Sequence, residues 1–415
     1  MSRDPPRDDF EDEMATERLA APVGAEAAGA SPARFWATAY TLLFLLTGTN
    51  LPTPLYRGYQ QSFGFSPLTV TLIFAVYVAA LIPSLLIAGP LSDSVGRRKV
   101  LLPAVVLAAL GSLVFALADN VGWLFAARLL QGLAVGAASG ALTAALSELE
   151  PRGDRRRAAL VSTVASVGGL GAGPLIAGLL AEYVPSPFVL PFVVEIVLLI
   201  PAAVAMATLP TSRPTTKWRP RRPSLPASMR GVFVSSGTAG FLAFSVIGLF
   251  LALVPTYVTK LSGNDNLALA GGAVALMLAC SVLAQIAASR RQALGIQITG
   301  LLLLAAGLIL LAVAGGLASL PLLLVSTVVG GIGQGLTFLG GITEINRVAP
   351  KDRHADVLSS FYVVIYLGVG VPVIGVGLLA TATGLLTAVQ IFASTVAALC
   401  LLDMAALARR RRQLA

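Results

Sequence analysis

Twelve runs of apolar residues, each about twenty residues or longer, leave this chain few ways to fold. They lie at 35–60, 66–91, 99–117, 121–147, 157–181, 187–209, 231–259, 267–288, 293–314, 318–345, 355–381 and 384–407. A helix of ~20 apolar residues crosses a hydrocarbon core ~30 Å thick, and such runs read as spanning helices. Strands of a membrane barrel would alternate apolar and polar over about ten residues, which these runs do not. Charge is scarce to match, at 12% of residues, where a soluble domain carries about twice that share. The sequence predicts an all-α membrane protein of twelve transmembrane helices.

The basic residues set the topology. Counted from the turn after the first span, the odd gaps hold only Arg57 and Lys260, and Arg128 lies within a span. The other 26 of the 29 bases fall in the even gaps and the two tails. Cytoplasmic segments carry such an excess, so both termini and the even gaps are expected inside, in a multi-pass protein of the cytoplasmic membrane. The net charge of +9 then reflects topology and contact with anionic lipid rather than nucleic acid. The longest gap, TSRPTTKWRPRRPSLPASMRG at 210–230, is rich in Pro and Arg without apolar periodicity and reads as a cytoplasmic linker. It divides a six-helix bundle at 34–209 from another at 231–407. Residues 1–33, with eight acids and no signal-peptide pattern, read as a disordered cytoplasmic tail, and 408–415 as a basic one.

Weak repeats link the halves into a pseudo-symmetric 6+6 arrangement. Gln131-Gly132-Leu133 in the fourth span can be laid on Gln334-Gly335-Leu336 in the tenth. Each of these spans is followed by Pro and an Asp-Arg pair, Pro151 with Asp154-Arg155 and Pro350 with Asp352-Arg353. The next spans both end in GLLA, at 178–181 and 377–380. Internal repeats with a site at their interface are typical of secondary transporters.

Other functions fit poorly. Cys280 and Cys400 lie inside apolar runs and allow no disulfide framework or zinc spacing, and the lone histidine, His354, is in a polar loop. No metal, no cofactor and no enzymatic reaction is expected. A G-x-x-x-x-G-K-[ST] loop for ATP is absent.

One cluster stands out against the apolar background: GPLSDSVGRRK at 89–99, in the second gap. Gly89 permits close approach of another helix, Gly96 permits the positive φ of a tight reversal, and Arg97, Arg98 and Lys99 hold the loop inside. Anchoring alone would need the cations but neither Asp93 nor the glycines. The pattern G-x-x-x-D-x-x-G-R-R-K in this place resembles the signature loop of the major facilitator superfamily, and with the 6+6 layout the resemblance covers residues 35–407. It implies that Asp93 contacts a loop Arg and the start of the eleventh helix near Asp356, latching the halves at the cytoplasmic side. ASRRQ at 288–292 keeps two Arg without the acid, so the latch would be one-sided.

Two further motifs narrow the resemblance. GLGAGPLIAG at 169–178 offers Gly169, Gly173, Pro174 and Gly178 as a small-residue face with a ladder-weakening proline. Generic packing explains such a face. It also resembles the antiporter motif of drug:proton exporters in that family, with Ala177 where Gly is usual. RLLQG at 128–132 puts Arg128 about seven residues, or roughly 10 Å, below the outer end of its helix. A cation there needs a polar cavity or a partner, and a structural ion pair or snorkelling would supply one. The motif also resembles the helix 4 pattern of the same exporters, which implies a role for Arg128 in proton coupling.

The acids available for coupling are few. Glu195 in the sixth span lies at a depth like that of Arg128, and reads either as a titrating group or as a neutral structural one. Glu344, a further coupling candidate, and Glu148 sit near inner helix ends, where capping the interface or pairing with loop Arg residues also explains them. The first span has no acid. Tyr40, Asn50, Tyr77, Gln131, Gln285, Gln334, Thr337, Tyr362 and Tyr366 are the polar points expected along the substrate cavity. Apolar walls with few polar points suit amphipathic organic molecules. The expected function is alternating-access, proton-coupled efflux by a monomer. A proton-coupled nutrient symporter is the alternative, and a non-transporting membrane sensor a remote one.

Overall fold

A computed structural model describes residues 31–209, 229–350 and 353–414; the 1–30 tail, linker residues 210–228 and the side chain of Asp93 lie outside that description. Twelve long helices run in chain order: α1 (Pro32–Asn50), α2 (Pro67–Val95), α3 (Arg97–Ala116), α4 (Val121–Leu149), α5 (Arg155–Tyr183), α6 (Leu190–Ala207), α7 (Arg230–Ala252), α8 (Leu267–Ala288), α9 (Ala293–Gly316), α10 (Leu320–Val348), α11 (His354–Thr383) and α12 (Leu385–Leu414). Eleven are long and apolar enough to cross a membrane. The exception is α1, in which threonines interrupt the apolar run. Its Thr38, Thr41, Thr47 and Thr49 hydroxyls each donate to a carbonyl one turn back in the same helix. A threonine whose hydroxyl is satisfied in its own helix can be buried without an outside partner.

Two of the predicted spans are broken. The run at 35–60 divides at Leu51, followed by a 3₁₀ turn and a short helix, Tyr56–Phe63. Pro52 and Pro54 lack the amide donors that would continue the ladder. The run at 231–259 divides at Leu253, just ahead of Pro255, into α7 and a short helix, Val254–Ser262. Both short helices end on a left-handed glycine, Gly64 at φ 68° and Gly263 at φ 64°. The following helices are capped by Ser66 and Asn266 side chains.

Glycine contacts set the register of the two repeats. A Cβ on Gly132 or Gly136 of α4 would lie 2.4 Å from a carbonyl oxygen of α2, Tyr77 or Leu81 respectively. Gly331 and Gly335 of α10 meet the Met277 and Ser281 carbonyls of α8 in the same way, at 2.5 and 2.3 Å. Gly169 of α5 presses on Leu43 O of α1 as Gly368 of α11 presses on Phe241 O of α7. Gly132 therefore pairs with Gly331, and the sequence match of Gln131 with Gln334 is wrong by one helical turn. In glycine-rich helices a tripeptide recurs through composition alone, whereas close backbone approach fixes register. The Pro151/Pro350 and GLLA matches agree with the packing: α4 and α10 have equal lengths, and Gly178 and Gly377 hold the same place in α5 and α11.

Within the first half α2 packs on α4, α3 on α4 and α6, and α1 on α4, α5 and α6. The second half repeats the main pairings: α8 with α10, α9 with α10 and α12, and α7 with α10 and α11. The halves join along two seams, α5 with α8 and α2 with α11. Glycine contacts in both seams run from the middle of the helices toward the loops that the charge pattern puts outside. There Gly171 meets Leu278, Gly271 meets Pro174, Gly370 meets Val78 and Gly377 meets Thr71.

Candidate functional site: a buried cation, a buried acid and the helices that hold them

Arg128 of α4 is fully buried. Its Nε donates to Tyr56 Oη at 2.6 Å, and its Nη1 donates to the Thr49 carbonyl and to Gln131 Oε1. Tyr56, Phe74, Tyr77 and Phe115 bring their rings to 5.5–5.9 Å from the guanidinium carbon. Desolvated cation–π contacts are worth about 2 kcal/mol or more, so four rings partly replace a counter-ion. Among the described residues no carboxylate forms an ion pair with Arg128, and its Nη2 has no hydrogen-bond partner. The break after α1 puts Tyr56 here, and Tyr56, Phe74 and Phe115 carried no polar or motif signal in the sequence.

Gln131 extends the cluster. Its amide nitrogen donates to Gly48 O of α1 at 3.0 Å, while its oxygen faces Arg128. Beyond Gly48 lies Glu195 of α6, 1% exposed, its carboxyl against the Gly48 backbone and without a side-chain partner. A Cβ on Gly48 would sit 2.4 Å from Glu195 Oε1, so only glycine leaves room for that carboxyl. Leu45, Gly48, Thr49, Ala108, Ser112, Gln131, Val135 and Glu195 line a tight crevice among α1, α3, α4 and α6. Glu344, the other coupling candidate, pairs with Arg347 one turn on at 2.8 Å near the end of α10. The structure thus groups Arg128, Gln131 and Glu195 and leaves Glu344 apart.

The α5 motif faces two ways. Gly169 and Gly173 press on the Leu43 and Thr47 carbonyls of α1, where a Cβ would come within 2.3 Å of each. Asn50 Nδ2 ties the same helices by donating to Leu170 O. Pro174 and Gly178 turn to the other half: a Cβ on Gly178 would lie 2.4 Å from Leu267 O, and Gly271 abuts Pro174 O. Two polar contacts lie beside this seam. Glu182 accepts from the Leu267 amide at the start of α8 at 2.8 Å, and Arg57 pairs with Asp265. An acid at a helix N-terminus meets free N–H groups and the positive end of the dipole.

The cavity candidates divide. Tyr40 donates to Leu198 O of α6 at 3.0 Å, and Thr337 donates to Gly333 O in its own helix, so both hydroxyls are spent on backbone. Ser281 donates to Gln334 Oε1 at 2.6 Å, and Gln285 Nε2 donates to Ser281 Oγ, a small network between α8 and α10. Tyr362 and Tyr366 stack at 6.4 Å on α11, joined through Phe244 of α7 to Phe338 of α10. Across the α2–α11 seam Gly370, one turn on from Tyr366, meets Val78, the residue after Tyr77. Four aromatic rings thus cluster among α7, α10 and α11, two of them outside the polar candidates.

At the second gap Gly96 adopts φ 96°, as the tight reversal requires. Arg97 donates to Ser92 Oγ at 2.8 Å and pairs with Glu148 of α4 at 2.7 Å, fastening the loop to its own half. Arg98 is exposed. The close approach expected at Gly89 is not present: its open side has no heavy atom within 4 Å. Ala88, Ser92 and Ser94 around it are nevertheless buried, and α4 packs along this part of α2 through Ser84 and Leu133.

The family model described as Major Facilitator Superfamily matches residues 37–315. A putative multidrug resistance protein MdtD of Escherichia coli is 30% identical over 251 residues, 59% of this chain and 49% of the relative. A puromycin resistance protein, pur8, of Streptomyces alboniger is 34% identical over 163 residues, 37% of this chain and 32% of the relative. The chain thus matches about half or less of the length of these relatives. Among solved structures, a mutant of the nucleoside transporter NupG superposes with TM-score 0.71 at 15% identity, covering 89% of this chain and 98% of that one. A POT family transporter in complex with 5-aminolevulinic acid gives 0.74 at 14% identity, covering 90% and 95%. At such identities the likeness is one of fold.

Proposed function

Because this chain belongs to the major facilitator superfamily, we propose that it exports small amphipathic organic molecules across the cytoplasmic membrane in exchange for protons. The observation that carries the reading is α5, whose one helix grips α1 through Gly169 and Gly173 and the opposite half through Pro174 and Gly178. Rocking of one half on the other must pass through that helix. The buried Arg128 cluster supplies a charge beside it, and the aromatic wall of Phe244, Phe338, Tyr362 and Tyr366 suits flat, partly apolar substrates. The names of the two drug-resistance relatives agree with this direction. We place both termini inside, take residues 34–209 and 231–407 as the two moving bodies, keep Asp93 as the inner latch, and take the monomer as the working unit. The test is ethidium accumulation by inverted membrane vesicles. Accumulation that collapses when an uncoupler removes the pH gradient supports proton-coupled export. Accumulation indifferent to the uncoupler overturns it, and entry of ethidium into intact cells driven by an imposed proton gradient favours the symporter.

A further inference from the structure

We propose that Glu195 is the proton-binding carboxyl of this transporter, and that it acts by exchanging influence over Arg128 through Gln131. The inference rests on the proton-coupled reading above and names the site of that coupling. Three observations carry it. Glu195 is buried in a span, its carboxyl set against the Gly48 backbone with no side-chain partner. In the same cluster Arg128 Nη2 is a buried donor without an acceptor. Between them, Gln131 touches both the guanidinium and the Gly48 carbonyl, and Gly48 is the residue against which the Glu195 carboxyl lies. Unsatisfied buried polar groups are uncommon and call for an explanation, and complementary ones flanking one bridging amide point to a second arrangement.

The surroundings offer no rival. From α1 the titratable neighbour is Tyr40, whose hydroxyl is given to Leu198 O. From α3 come Ala108 and Ser112, and from α4 come Gln131 and, behind it, Arg128. The spanning part of α5, residues 158–181, contains no titratable side chain.

With its proton, Glu195 is a neutral group in an apolar crevice, and Arg128 rests on its four rings, as the structure shows. When the proton leaves, a bare carboxylate is strongly disfavoured there unless a donor or a cation reaches it. Arg128 is the buried cation of this half, and movement toward Glu195 loosens its hold on Thr49 O and Tyr56 Oη. Those two residues flank the break between α1 and the short helix Tyr56–Phe63. Arg57, next in the chain, ties that short helix to Asp265 of the other half. Proton loss at Glu195 is thereby connected to the outer join between the halves. One proton is bound and one released per cycle, with no other bond changed.

Glu195→Gln tests this, because the amide keeps the shape and neutrality of the protonated acid. In infrared pH-difference spectra of the purified full chain in lipid, a buried-carboxyl C=O band should titrate in the native protein and be absent in E195Q. In proteoliposomes, ethidium-driven proton flux should fall by about tenfold or more in E195Q while ethidium exchange without a gradient persists. Glu195→Asp should recover part of the flux. A native spectrum without that band, or E195Q flux equal to native, overturns the assignment. Loss of exchange and flux together in E195Q, without rescue by E195D, also overturns it, as a structural role. If native protein carries ethidium without protons, the coupling reading itself fails, while the infrared band still decides whether Glu195 titrates.

Discussion

At the scale of residues, Arg128 is a buried charge with which no carboxylate among the described residues forms an ion pair. Its fork reaches a phenol, a main-chain carbonyl and an amide in three directions, with rings around it. Lysine is a compact point charge and cannot reproduce that geometry. Arg128→Lys should therefore cut uncoupler-sensitive ethidium export by about tenfold, the equivalent of one charge-assisted hydrogen bond. Tyr56→Phe removes only the Nε acceptor and should give a smaller loss. Both should reach the membrane at native levels, because topology rests on the loop cations. Export by Arg128→Lys at the native rate would show that the fork has no role. The Arg itself was readable in the sequence as a costly cation at depth. Its partners were not, because Phe74 and Phe115 look like any lipid-facing aromatic and Tyr56 lies past a break that an apolar run conceals.

At the scale of elements, helix approach is decided by glycines in carbonyl-facing positions rather than by glycine content. Gly271 and Gly272 of α8 are neighbours with opposite roles. A Cβ on Gly271 would lie 2.0 Å from Pro174 O, while at Gly272 no atom lies within 4 Å. Gly271→Leu should force the α5–α8 seam apart, at a cost of about 1–3 kcal/mol for overpacking. Gly272→Leu should be near neutral. Thermal unfolding in detergent separates them, and equal melting temperatures would sink the argument. The α5 face was legible as a motif, but Gly271 was not, since nothing in ALAGGA says which glycine meets Pro174. The α4–α5 turn makes a second case. Buried Glu150 accepts from the Arg152 and Asp154 amides at 2.7 Å and from Arg157 Nη1 at 3.1 Å. Glu150→Ala strands these donors and should lower stability by about 1–3 kcal/mol, read as a fall in melting temperature. An unchanged melting temperature would mean that water replaces the carboxylate without loss. The corresponding turn after α10 has Ala349 at that place, so the halves are stabilised differently despite their common plan.

At the scale of the whole molecule, the twelve runs were legible because hydrocarbon demands length and apolarity, and the 6+6 plan because charge and repeats follow the chain. Which end the halves close on was not legible, since it depends on contacts between α5 and α8 and between α2 and α11 that sequence spacing does not reveal. The glycine contacts across the seams run from mid-helix toward the end that the charge pattern assigns to the outside, with Arg57–Asp265 and Glu182 beside them, and Gly89 near the other end has an open side. On the alternating-access reading proposed above, the helix approach expected at Gly89 is assigned to an opposite state, with the outer seams parted and the inner ends together. This gives a paired labelling experiment. A Gly89→Cys protein in inverted vesicles should react readily with a membrane-impermeant maleimide, because a side chain there meets no neighbour. Adding Gly271→Leu, which props the outer seam open, should slow that reaction as another helix moves over residue 89. Cys280 and Cys400 lie within α8 and α12, and the native protein treated in parallel reports any background from them. Equal labelling rates with and without Gly271→Leu would show that the two ends move independently, and would remove Gly89 from the gating machinery.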